Sequence, residues 1–152
     1  MQLRAILFTI CLLLVPALGF AHGYKAGDLV VIHPWSPAPK AGAKVAAGFM
    51  VIENNGSTPD RLVAVKSAVA GTIQIHSMSI ENGVMKMAEL PDGLEIPAGG
   101  KVELKPKGLH IMFIDLKEPI LLEVPFDAEL VFEKAGTVKV EFMVEDKPSH
   151  MH

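Results

Sequence analysis

Cysteine is nearly missing from this chain. Its single copy, Cys11, lies inside an apolar run close to the amino terminus. Once that run is removed no thiol remains, which excludes disulfides and every metal site built on thiolate, the blue-copper electron-transfer type included. Stability must then come from packing. Clustered positive charge is missing as well. The 14 Lys and Arg stand scattered against 17 Asp and Glu, for a net charge of −3, and leave no footprint for a nucleic acid. Beyond the first residues no apolar run is long enough to cross a bilayer. Helical periodicity is absent from every window of about 11 residues or more.

What is present begins with export. Arg4 supplies a positive start, AILFTICLLLVPAL an apolar core too short to span, and Gly19-Phe20-Ala21 small residues at the positions a signal peptidase reads. Residues 1–21 are expected to be a signal peptide cleaved after Ala21, with no membrane contact after its removal. Cys11 follows Ile10 and not a small residue, so lipid attachment there is not expected. Residues 22–145 form one domain with length enough for a true core. Residues 146–152, DKPSHMH, are polar, carry His and Met, and are expected to form a flexible tail.

Between these ends the pattern is alternation, rich in β-branched residues and broken by turn chemistry. It predicts strands near 28–34, 46–54, 60–68, 71–78, 84–90, 101–105, 110–116, 128–134 and 137–145. Turn signals NNGSTPD, ENG, PDG, PAGG, KPKG, KEP and KAG fall between them. The stretch APKAGAKVAAG reads as a loop or a short helical turn. Many short strands at this spacing point to an all-β antiparallel sandwich or barrel.

Residues i and i+2 of a strand share a face, about 6.6 Å apart. His76 and Met78 are such a pair, as are Met85 and Met87, and His110 and Met112. The ENG turn can fold the first pair against the second. The third joins them only if the strand from 110 is a spatial neighbour, which the sequence leaves open. The donor types are informative. Thioether and imidazole without thiolate or carboxylate suit Cu(I); zinc would recruit Cys or carboxylate more often, and calcium or magnesium would take oxygen. Met50 and Met143, in apolar strands, read as core filler, and His33 as a satisfied polar residue. Two His-x-Met pairs in a chain with only 6 His and 8 Met are harder to pass off as packing.

IHSMSIENGVMKM followed by IPAGGKVELKPKGLHIMFIDL resembles the periplasmic PCu(A)C copper chaperone family, whose pattern is His, ten residues, Met, about twenty-one residues, then His-x-Met. Here ten residues separate His76 from Met87 and twenty-two separate Met87 from His110, the extra one falling among loops. AGFMVIENNGSTPDRLVAVKSAVA is also similar to the family's early strands, so the resemblance spans about residues 28–145. It implies a cupredoxin-like Greek-key β-sandwich that is not an enzyme. Such a protein binds one Cu(I) in the periplasm and hands it to assembly of the dinuclear copper site of cytochrome c oxidase. The acceptor would be subunit II of that oxidase or a thiol-bearing assembly factor. By match the ligands are His76, Met87, His110 and Met112, with Met78 and Met85 as alternates or entry-path sulfurs. Two ends add further donors: cleavage after Ala21 would free an amine beside the His22 imidazole, and His150, Met151 and His152 could capture Cu(II) or add a soft sulfur. Rival readings are a copper store or buffer, a copper enzyme chelating through an amino-terminal His22, and a metal-free structural sandwich.

Overall fold

A computed structural model describes residues 23–146. The expected signal segment, His22 and the tail residues His150, Met151 and His152 lie outside the described residues. Within them the chain forms eleven strands: β1 Gly23–Ala26, β2 Leu29–Pro37, β3 Val45–Asn54, β4 Asp60–Lys66, β5 Ala70–Glu81, β6 Val84–Glu89, β7 Leu94–Ile96, β8 Lys101–Leu104, β9 His110–Leu116, β10 Phe126–Phe132 and β11 Gly136–Glu145. No helix occurs among the described residues, and 38–44 is loop and turn.

The strands run in the order β6-β5-β9-β3-β2-β11-β10-β4-β7, with β1 added on β2 and β8 on β3. All pairings are antiparallel except β2 with β11. Consecutive strands are often not neighbours, so the path crosses between two layers, and the period-two apolar faces of those layers meet inside. Phe113 of β9 packs edge-on against Phe126 of β10 and Phe142 of β11, with ring centroids 5.2 and 5.4 Å away. Leu29, Val31, Met50, Ile52, Leu62, Ile96, Ile111 and Leu130 fill the rest of this interior. Gly48 is there because nothing larger fits: a Cβ would stand 2.8 Å from the rings of both Phe113 and Phe142. Met50 is core, as its pattern suggested. Met143 is only half-buried and faces the opposite way from Phe142 and Val144, beside Trp35.

All nine expected strands are present, with ends moved by a few residues. β2 runs past Pro34 to Pro37. Proline cannot donate to the ladder, and the register shifts between Ile32 and Trp35, with His33 at φ 47°. This bulge resets the strand, which then pairs in parallel with β11. Two strands, β1 and β7, were not expected. β1 shows no alternation of its own and exists by pairing with β2. β7 has three residues, held between Gly93 and Pro97 and paired to β4.

Candidate metal centre

The centre is built on the β5–β6 hairpin and its neighbour β9. Asn82 and Gly83 both have positive φ, 52° and 77°. That is the two-residue turn whose twist matches that of paired strands, and Asn-Gly is its preferred sequence. It fixes the register: Ile80 opposite Met85, Met78 opposite Met87, His76 opposite Glu89. On the other side of β5, His76 pairs with His110 and Gln74 with Met112. The spatial proximity that the sequence left open is therefore present. Ile75, Ile111 and Phe113 turn to the core, so by alternation the two His, Gln74 and the Met residues occupy the reverse face of the same sheet.

The two imidazoles are the nearest pair, with ring centroids 5.4 Å apart and planes 72° to one another. Met112 and Met78 lie diagonally to either side of this pair, at the ~7–8 Å that separates diagonal strand neighbours. Met87 is one strand further out, directly across from Met78 and diagonal to His76. Its three rotatable bonds let the sulfur swing back toward the imidazoles. Met85 is two residues further toward the turn, near Ile80. Exposure rises along the same path: His110 is 4% exposed, Met87 51% and Met85 59%.

Hydrogen bonds fix which imidazole nitrogens are open. His110 Nδ1 lies 2.9 Å from the carbonyl oxygen of Gly108. A carbonyl only accepts, so Nδ1 carries the hydrogen and the lone pair sits on Nε2. His76 Nε2 lies 2.8 Å from Gln74 Oε1, while its Nδ1 is buried without a hydrogen-bond partner. A buried polar atom without a partner is costly unless it has another use. Coordinating an ion is one such use. Among the described residues no three His, Cys, Asp or Glu side chains gather as a metal site, and the soft donors beside the two imidazoles on this face are the Met sulfurs.

Other polar groups are accounted for elsewhere. Among the described residues His33 Nε2 is the other buried ring nitrogen without a hydrogen bond of good geometry, but it lies 3.0 Å from Glu145 Oε1, so a carboxylate already faces it as an ion-pair partner. At the far end of β9 the exposed Asp115 is held below the usual carboxylate range, first by its hydrogen bond from Lys117 and then by the charge of that lysine. Trp35 and Phe49, with ring centroids 5.0 Å apart, form an aromatic shoulder two residues along β3 from Ala47, the partner of Met112. The residue that sequence reasoning missed is Gln74. Its signal was available, since Gln-x-His-x-Met continues the same-face series one step back.

Residues 29–144 match the LpqE-like family. A protein of Leifsonia xyli subsp. xyli named as a lipoprotein, Lxx21020, is 33% identical over 136 residues, covering 90% of this chain and 81% of that one. Among solved structures, the copper-bound PCuAC domain from PmoF2 is 31% identical with a TM-score of 0.72, over 83% of this chain and 99% of that domain. The apo PCuAC domain from PmoF1 is 34% identical with a TM-score of 0.71, over 83% of this chain and 100% of that domain. The Cu(I) form of DR1885 from Deinococcus radiodurans, 24% identical with a TM-score of 0.61 over 84% of this chain and 83% of that one, shares the fold.

Proposed function

The chain belongs to the LpqE-like family and has the cupredoxin-like sandwich of PCuAC domains, and from that premise we propose that it is an exported carrier of Cu(I). The ion is cargo, held by the imidazoles of His76 and His110 and the thioethers of Met87 and Met112. The observation that carries this reading is the in-register His76–His110 pair, each with an open lone pair, ringed by Met side chains on one face. Neutral soft donors suit a monovalent soft ion, and they release it to a thiolate acceptor without needing a proton. A copper-bound PCuAC domain at 31% identity supports the same choice of metal. The acceptor is a copper site under assembly, that of cytochrome c oxidase subunit II or a thiol-bearing factor that serves it. The lipoprotein name of the Leifsonia relative supports export. In this chain the Ile10–Cys11 sequence favours cleavage after Ala21 over a lipid anchor, with a periplasmic destination, and the mass of the mature protein tests that choice.

The exposed Met end of the hairpin favours a carrier over a store, because an acceptor can reach the sulfurs while the imidazoles still hold the ion. The test mixes Cu(I)-loaded protein with an apo-acceptor bearing a dithiolate site and follows transfer against acceptor concentration. A carrier gives a rate that rises with acceptor and exceeds spontaneous loss to buffer. A rate independent of acceptor identifies a store whose copper leaves first, and sinks the carrier reading.

A further inference from the structure

We propose that Gln74 is a positioning residue that locks His76 in the tautomer presenting Nδ1, so that the two imidazoles grip Cu(I) through opposite nitrogens: Nδ1 of His76 and Nε2 of His110. This rests on the Cu(I) reading above and deepens it.

A neutral imidazole has one N–H and one lone pair, and whichever nitrogen donates a hydrogen bond leaves the other to bind metal. Gln74 Oε1 can only accept, so at 2.8 Å it draws the hydrogen onto His76 Nε2. The lone pair is thereby moved to Nδ1, the buried nitrogen with no hydrogen-bond partner. The carbonyl of Gly108 does the converse to His110, at 2.9 Å from Nδ1. The two supports differ in kind. Gly108 is backbone, fixed by the turn before β9, where its own N–H donates to Lys105 at 3.0 Å. Gln74 is a side chain, free in principle to turn its amide and offer N–H instead. Its place on β5, directly across from Met112 and two residues from His76, keeps it within the donor face. Substituting it therefore changes which nitrogen of His76 is open without touching a ligand. Partners that hold a ligating imidazole in this way commonly set both its orientation and its basicity.

The test compares wild type with Gln74→Leu and Gln74→Glu. Leucine removes the acceptor at similar bulk; glutamate keeps an acceptor oxygen. Long-range proton–nitrogen NMR of the apo proteins, under conditions where the imidazoles are neutral, reads the tautomer of His76 directly. Because Cu(I) is diamagnetic, the same spectrum of loaded protein shows which nitrogen coordinates. A competition titration with a chromophoric Cu(I) chelator gives affinity. The expected result is an Nε2–H tautomer in wild type and Gln74→Glu, and its loss in Gln74→Leu. Affinity should fall roughly 10- to 100-fold in Gln74→Leu and stay close to wild type in Gln74→Glu. An unchanged His76 tautomer in Gln74→Leu overturns the proposal, as does coordination through His76 Nε2 in the loaded wild type. Equal affinity of Gln74→Leu and wild type overturns it too. Wild-type protein that binds no Cu(I) would overturn the carrier reading instead, and the apo spectra would still decide whether Gln74 sets the tautomer.

Discussion

A single residue on the reverse face of β5 or β9 reports on one donor at a time. His76→Ala, His110→Ala and Met112→Ala should each weaken Cu(I) binding in a chelator competition, while Met50→Leu, which alters only the core, should leave affinity unchanged. Met87 and Met78 are the sharper comparison, since they face one another across the hairpin. If Met87 is the ligand, Met87→Leu loses affinity and Met78→Leu keeps it; the reverse order would move the assignment to Met78. Met85→Leu should leave affinity intact and slow transfer to an acceptor. Residues also carry the fold. Asp60 is 7% exposed, and its carboxylate accepts from the backbone N–H of Arg61, Lys134 and Ala135. Asp60→Ala strands those donors, at about 1–3 kcal/mol for each that water cannot reach. Denaturant unfolding should show a large loss of stability with Cu(I) stoichiometry preserved. At this scale the three same-face His and Met pairs were legible from spacing alone, and the register brings them together. The place of Gln74 on this face was legible too, but its hydrogen bond to His76 was not, because that depends on rotamers that a period-two pattern does not encode.

Strands and turns show where sequence reading succeeds and why it stops. The ENG turn was readable because Asn-Gly serves the left-handed backbone a tight hairpin needs, and from it followed the opposition of Met78 and Met87. The pairing of β5 with β9 was not readable, since nothing local in GLHIMF says which strand will lie beside it. β7 alternates over only three residues, too few to stand out as a strand. Two glycines separate two ways in which an element depends on this residue. Gly83 sits at φ 77° with nothing within 4 Å of a would-be Cβ. Gly83→Ala therefore costs only backbone strain, about 1–2 kcal/mol. Gly48→Ala meets both Phe113 and Phe142 rings at 2.8 Å and costs about 1–3 kcal/mol through overpacking. Thermal melts should show both losses, with Cu(I) affinity affected more by Gly83→Ala, which loosens the hairpin that holds Met87.

For the whole molecule the expected selectivity follows from the donor set. Thioethers add little for zinc, so one equivalent of Cu(I) should bind tightly and Zn(II) should not compete at the same face in native mass spectrometry. A zinc ion bound by both Met87 and Met112 would contradict this. The all-β sandwich itself was legible from strand count and turn spacing. The crossing order of its strands was not, because topology depends on contacts between distant segments.

The proposed donors and the hydrophobic interior occupy opposite sides of β5 and β9. On the carrier reading, loading would therefore ask nothing of the core: Phe113, Phe142 and their neighbours can keep the same packing whether the cargo is aboard or not. The empty and the full protein would then present one silhouette, and a recipient would not tell them apart by shape. What would distinguish a courier with a parcel from one without is confined to a few side chains on a single hairpin and its neighbouring strand, so the delivery signal would be read by touching the sulfurs themselves.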